Sequence, residues 1–125
     1  MVKKLSKPSR ELATKLLSEV SFEKRLIGII MHPMIGDTEH ELYSLQEVAD
    51  FLRLRVEKVT DKHAYINYVD LDALERWIRE VLGDKELADA IREEIKRGKS
   101  YKERMESIKE LIKQRLKQCK AVLGM

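Results

Sequence analysis

Leu12, Leu16, Leu17 and Val20 recur at helical spacing behind Pro8 and Ser9, with Glu11 near the positive end of the dipole, so the pattern predicts a helix over about Ser9 to Glu19. Ser44 stands three residues ahead of Glu47, a capping box that opens a second helix into Val48, Ala49, Phe51 and Leu52. Asp70 caps a third, whose Leu71, Leu74, Trp77, Ile78, Val81 and Leu82 share one face and which Gly83 can terminate. Asp84 starts a fourth on the stripe Leu87, Ala88, Ile91 and Ile95, and Lys96-Arg97-Gly98 ends it with basic residues and a glycine. Ser100 and Glu103 make another capping box before the longest helix, which runs from about Tyr101 to Leu123, roughly 35 Å at 1.5 Å per residue.

Two stretches resist helical periodicity. Between Ser21 and Glu41 the run Leu26-Ile27-Gly28-Ile29-Ile30-Met31 is continuously apolar, which assigns it to burial but to neither helix nor strand. Pro33 biases His32 away from helical geometry and Gly36-Asp37 signals a turn, so any helix through Ile30 should stop there. Further on, Leu52-Arg53-Leu54-Arg55-Val56 alternates with period two, Thr60-Asp61-Lys62-His63 carries turn formers, and Ala64-Tyr65-Ile66-Asn67-Tyr68-Val69 is rich in aromatic and β-branched residues. That pattern predicts a small β-hairpin or wing near 53–69.

Glu47 to Arg55 also reads with period 3.6, and in that reading it resembles the first helix and turn of the helix-turn-helix in excisionase-like and MerR-like DNA-binding proteins. The resemblance covers residues 44–80. It makes Ala49 the small residue where two helices approach, Leu54 the apolar residue of the turn, Val59 the core residue of a recognition helix, and Tyr65 to Trp77 the wing and following helix. It implies DNA contacts from Arg53, Arg55, Lys58 and Lys62. Arg53 departs from the pattern, because such turns usually carry glycine. A strand and a recognition helix over 53–63 are incompatible, and the hairpin is the reading adopted.

The resulting expectation is a mostly α, α+β chain: a single domain over residues 1–125 with four to five helices, one hairpin and a long C-terminal helix. Residues 1–8 should be a flexible N-terminus, 9–83 should hold helix, apolar segment, helix, hairpin and helix, and 84–125 a C-terminal helical pair. Met105, Ile108, Ile112, Leu116, Cys119 and Leu123 continue from Tyr101 as an apolar seam of about three heptads, which must dock on the chain's own helices or zip against a second subunit. A homodimer through that seam is therefore a candidate.

Charge adds a second candidate. The formal net charge of +3 is no evidence of nucleic-acid binding by itself, but the sign is unevenly distributed. Residues 44–83 hold six Lys and Arg against eight Asp and Glu, whereas 99–120 hold eight against three. Lys109, Lys113, Lys117 and Lys120 line up along the last helix, either as a solvated face or as a stripe that could track phosphates without reading sequence.

Other chemistry is sparse. One cysteine excludes an intrachain disulfide framework and any multi-cysteine zinc site. His32, Asp37, Glu39, His40 and Glu41 are the one cluster with metal-ligand side chains, yet the spacing fits neither HExxH nor a calcium loop, so a solvated loop without metal is expected. There is no phosphate-cradling glycine loop and no nucleophile elbow, so no enzyme activity and no cofactor are expected. No run approaches the roughly 18 apolar residues of a membrane span, and no apolar core follows the N-terminal lysines, so membrane and secretory readings are disfavoured and a cytoplasmic location is expected. Abundant Lys and Glu beside one asparagine, Asn67, and three glutamines resembles the composition of thermophilic chains. The function expected is a small non-enzymatic interaction or regulatory module with a protein partner or self-association; the alternative is a nucleic-acid-binding protein with a degenerate helix-turn-helix and basic C-terminal helix.

Overall fold

The computed structural model describes residues 2–32, 35–55, 65–97 and 100–125, with Leu54 and Arg55 described through their backbone alone. In chain order the elements are α1 (Arg10–Leu16), β1 (Leu26–His32), β2 (Gly36–Leu42), α2 (Leu45–Phe51), β3 (Leu54–Arg55), β4 (Tyr65–Tyr68), α3 (Leu71–Trp77), α4 (Lys85–Lys96) and α5 (Tyr101–Val122). A 3₁₀ turn at Phe22–Lys24 precedes β1, and α3 runs on into a π turn at Ile78–Leu82. The chain is α+β with helices dominant and a long C-terminal helix, as the pattern predicts. No helix among the described residues is long and apolar enough to cross a membrane.

All five helices begin where a side chain accepts the first free backbone N–H groups. Ser9 accepts from Leu12, Ser44 from Glu47, Asp70 from Asp72 and Ala73, Asp84 from Leu87, and Ser100 from Glu103. After the π turn Gly83 takes the left-handed conformation at φ 75°, which a residue without Cβ adopts freely, and this lets α4 start at once.

Helix α5 is the centre of the core, contacting α1, α4 and α2. Met105, Ile108, Ile112, Leu116 and Cys119 are buried there, and Leu123 is partly buried against the same cluster. Five of the six seam side chains are thus buried within the chain itself, and Leu123 is partly buried at its end.

The N-terminal segment departs from its expected flexibility. Leu5 is in the core, and α5 reads the backbone on either side of it. Leu5 N–H donates to Gln114 Oε1 (2.6 Å), Gln114 Nε2 donates to Lys3 O, and Gln118 Nε2 donates to Leu5 O (2.7 Å). Glu86 accepts from both the N–H and the Oγ of Ser6. Amide and carboxylate side chains thereby satisfy backbone groups of this segment as a neighbouring strand would. Arg115, 1% exposed, completes the attachment by donating to Ser6 O, to both oxygens of Asp84, to Glu86 and to Gln118.

The larger departure lies in the stretch that periodicity left unassigned. Where no element is assigned to 26–31 and a solvated loop is expected around His32 to Glu41, Leu26–His32 and Gly36–Leu42 pair antiparallel in seven pairs from Leu26↔Leu42 to His32↔Gly36. This hairpin joins the expected small one, since Ile29, Ile30 and Met31 pair with Tyr68, Asn67 and Ile66, and β4 pairs in turn with Leu54 and Arg55. A four-stranded antiparallel sheet of order β2-β1-β4-β3 results. Residues 56–64, on which the choice between turn and recognition helix largely rests, lie outside the described residues; Leu54 and Arg55 are in strand.

Candidate interaction surfaces

Side chains directly opposite in antiparallel strands point to the same side of the sheet, so the register divides it into two faces. One carries Leu26, Gly28, Ile30 and His32 of β1 with Leu42, His40 and Thr38 of β2 and Asn67 and Tyr65 of β4. Helix α2 lies against this side, and Gly28 is the reason it fits. A Cβ at Gly28 would stand 2.5 Å from Phe51 Cε2, so only glycine leaves a slot for that ring. His40, the residue opposite Gly28, stacks on Phe51 with ring centroids 5.2 Å apart and planes at 11°.

Beside that stack lie two adjoining hollows of about 260 and 290 Å³, which share Ile30, Arg53 and Asn67. Two of the polar side chains that line them, Asn67 and Arg53, serve the end of α2, as does Lys109 from α5. Asn67 donates to Phe51 O (2.8 Å), Arg53 Nε to Asp50 O (2.9 Å) and Lys109 Nζ to Leu52 O (2.9 Å), so three side chains satisfy carbonyls that the helix terminus leaves free. Burial, with Lys113 and Arg53 nearby, lowers the pKa of the Lys109 ammonium. Of the sequence-derived nucleic-acid candidates, Arg53 and Lys109 are therefore engaged with backbone. Arg55 is placed only by its pairing with Tyr65, and Lys58 and Lys62 lie outside the described residues.

The opposite face carries Ile27, Ile29 and Met31 of β1, Ile66 and Tyr68 of β4, and Asp37, Glu39 and Glu41 of β2. Ile27, Ile29, Met31 and Ile66 are half-buried and Tyr68 is 37% exposed. None of these five belongs to the core or to the partly buried residues packed against it, whereas Ile30 on the other face does. Ile35, at the turn between β1 and β2, is 71% exposed. The acidic row borders this apolar stripe along the edge strand. Glu41 is engaged by Arg25 (3.3 Å) and by the Tyr43 hydroxyl (2.6 Å), while Asp37 and Glu39 have no cationic partner among the described residues.

A third surface lies on α5, where exposed Lys113, Lys117 and Lys120 line a groove of about 510 Å³ with Gln46, Leu116, Ala121 and Met125. The structure separates these three from Lys109, which faces α2.

The would-be metal cluster is spread over the hairpin. His32 and His40 share a face, whereas Asp37, Glu39 and Glu41 point to the other side. Among the described residues no three His, Cys, Asp or Glu side chains are grouped to hold a metal ion. The Cys119 thiol is buried, and burial raises its pKa.

The sequence held one signal for the open face that helical periodicity passes over, since Asp37-Thr38-Glu39-His40-Glu41 alternates acid with non-acid, the period of a strand. Comparison with protein-family models, with curated proteins and with solved structures finds no match.

Proposed function

We propose that this chain is a small, non-enzymatic, cytoplasmic interaction module that engages a protein partner through the uncovered face of its sheet. The observation that carries the reading is the placement of Ile27, Ile29, Met31, Ile66 and Tyr68 on one face, outside the core cluster, in a chain whose other large apolar side chains are mostly buried. Strands with one packed and one solvated face ordinarily carry polar residues on the solvated side. A central strand apolar on both sides, next to an edge strand polar on its outer side, supports reading this face as available for contact. Selection of random 12-residue displayed peptides on the full chain tests this. Retained peptides should be lost on the Ile29→Asp variant, which should keep its far-ultraviolet circular dichroism. Peptides retained equally by that variant, or a variant that unfolds because Ile29 is core, would overturn the reading.

Nucleic-acid binding is the second reading, favoured by the groove of Lys113, Lys117 and Lys120. Binding there would be electrostatic and would read no sequence. Titration of bulk DNA and RNA at two salt concentrations should give weak binding that falls steeply with salt and is abolished by Lys113→Glu with Lys117→Glu. Binding that prefers one DNA sequence and is lost with Arg55→Ala and Lys58→Ala would place the interaction at residues 53–62 instead.

A further inference from the structure

The docking reading leaves the partner's chemistry open, and the dimensions and charge of the face narrow it. Resting on that reading, we propose that the occupant is a short amphipathic helix of a partner protein, apolar along one side and carrying Lys or Arg along one flank.

Dimensions exclude a broad interface. From Ile27 to Met31 the stripe runs about 13 Å at 3.3 Å per residue, and the adjacent strands β1 and β4 make it about 10 Å wide at 4.8 Å between strands. One helix is about 10 Å across, and two to three of its turns span that length. A stable dimer or domain contact takes roughly 800 Å² from each partner, several times what this stripe offers. A second copy meeting it face to face would need area well beyond the stripe, whereas a single helical segment lying over it is matched in width and length.

Charge gives the helix an orientation. Along the β2 side the stripe is bordered by Asp37 and Glu39, which have no cationic partner among the described residues, while Arg25 already neutralises Glu41. A helix seated over Ile27, Ile29 and Met31 would bring its flank beside these two carboxylates. A basic flank satisfies them, and an acidic flank meets like charge. On the β4 side Tyr68, whose ring lies 4.9 Å from that of Tyr101, borders one end of the stripe, and β3 continues the sheet beyond Ile66. The contact is thus apolar at its centre, acidic on the β2 side and aromatic at the Tyr68 end of the β4 side.

Three synthetic 13-residue helical peptides test this, with one apolar side in common and lysine, glutamine or glutamate along the flank. Each is titrated into the full-length isotope-labelled chain and followed by methyl and amide resonances, with Asp37→Asn/Glu39→Gln as the charge variant and Ile29→Lys as the apolar variant. Both variants are checked for native circular dichroism. The lysine peptide should shift Ile27, Ile29, Met31, Ile66 and Tyr68. It should bind the charge variant about five- to tenfold more weakly, as expected when two exposed pairs are lost. The glutamine peptide should bind both chains alike, and Ile29→Lys should abolish all binding. Equal affinity of the lysine and glutamine peptides, unchanged in the charge variant, would overturn the basic partner and leave the docking reading standing. Absence of shifts at these residues for every peptide would overturn the docking reading itself. Concentration-dependent shifts of the same residues without peptide would assign the face to a second copy and overturn the proposal.

Discussion

Replacing Arg115 by methionine should cost about 3–5 kcal/mol of stability, because it strands a buried carboxylate rather than because it removes an attractive pair. Arg115 and Asp84 are each 1% exposed, joined through Nε to Oδ2 at 2.8 Å and the second guanidinium nitrogen to Oδ1 at 3.3 Å. Methionine keeps much of the stem volume and supplies no donor. Asp84 would then be left with the Leu87 N–H that it already caps, and Ser6 O and Gln118 would each lose a donor from α5. Unfolding entropy near the midpoint is about 2.1 cal/mol/K per residue, or about 260 cal/mol/K for 125 residues, so Tm should fall by about 11–19 °C. The assay is urea unfolding followed by the fluorescence of Trp77, the chain's single tryptophan, beside a thermal scan. Adding Asp84→Ser removes the stranded charge while keeping a helix-capping side chain, so the double variant should recover about 2 kcal/mol of the loss. A loss below about 1 kcal/mol in the single variant, or a double variant that loses the sum of both singles, would refute the stranded-charge reasoning.

Gly28→Ala should cost about 1–3 kcal/mol by pushing its methyl group into Phe51, and adding Phe51→Leu should restore part of it; equal stability of Gly28→Ala and the parent in urea would deny the contact. Ile112→Lys, at a fully buried position, should unfold the chain rather than release a folded monomer from a dimer, as light scattering with circular dichroism would tell. Burial alone would raise the Glu86 pKa, but hydrogen bonds from Ser6 and the Arg115 guanidinium outweigh it and hold it at about 2 against an ordinary 4.5. Because the folded value is the lower one, the stabilisation is full above about pH 4.5 and is lost as pH falls through about 2. Protection of the Leu5 amide, taken relative to its intrinsic exchange rate, should fall over that window, and this fall should be absent in Glu86→Gln.

Helix starts were legible because each is written locally. Ser9, Ser44, Asp70, Asp84 and Ser100 all act as caps, and the cap depends on residues two or three positions away. The pairing of β1 with β2 was not legible, because β1 is apolar in both phases. Leu26, Gly28 and Ile30 face α2 while Ile27, Ile29 and Met31 face outward, and the alternation that announces a strand cancels. That same doubling makes the outer face a candidate docking surface. The N-terminal segment looked solvated because Lys3, Lys4, Ser6 and Lys7 are polar, yet what holds it is its backbone, read by Gln114, Gln118 and Arg115 more than 100 residues away. No local pattern carries that information. The lysine stripe mixed two roles for a related reason, since Lys109 caps α2 while Lys113, Lys117 and Lys120 line an open groove.

The claim on which the proposed function depends is that the outer face of the sheet is uncovered and available to a partner. A soluble paramagnetic agent acting on methyl resonances of the free chain measures this directly. The methyl groups of Ile27, Ile29, Met31 and Ile66 should broaden well before those of Leu42, Leu45 and Val48, which are fully buried. The lysine-flanked peptide should then protect those four and leave the buried three unchanged. Methyl groups of Ile27, Ile29 and Met31 as protected in the free chain as those of Leu42 would contradict the claim.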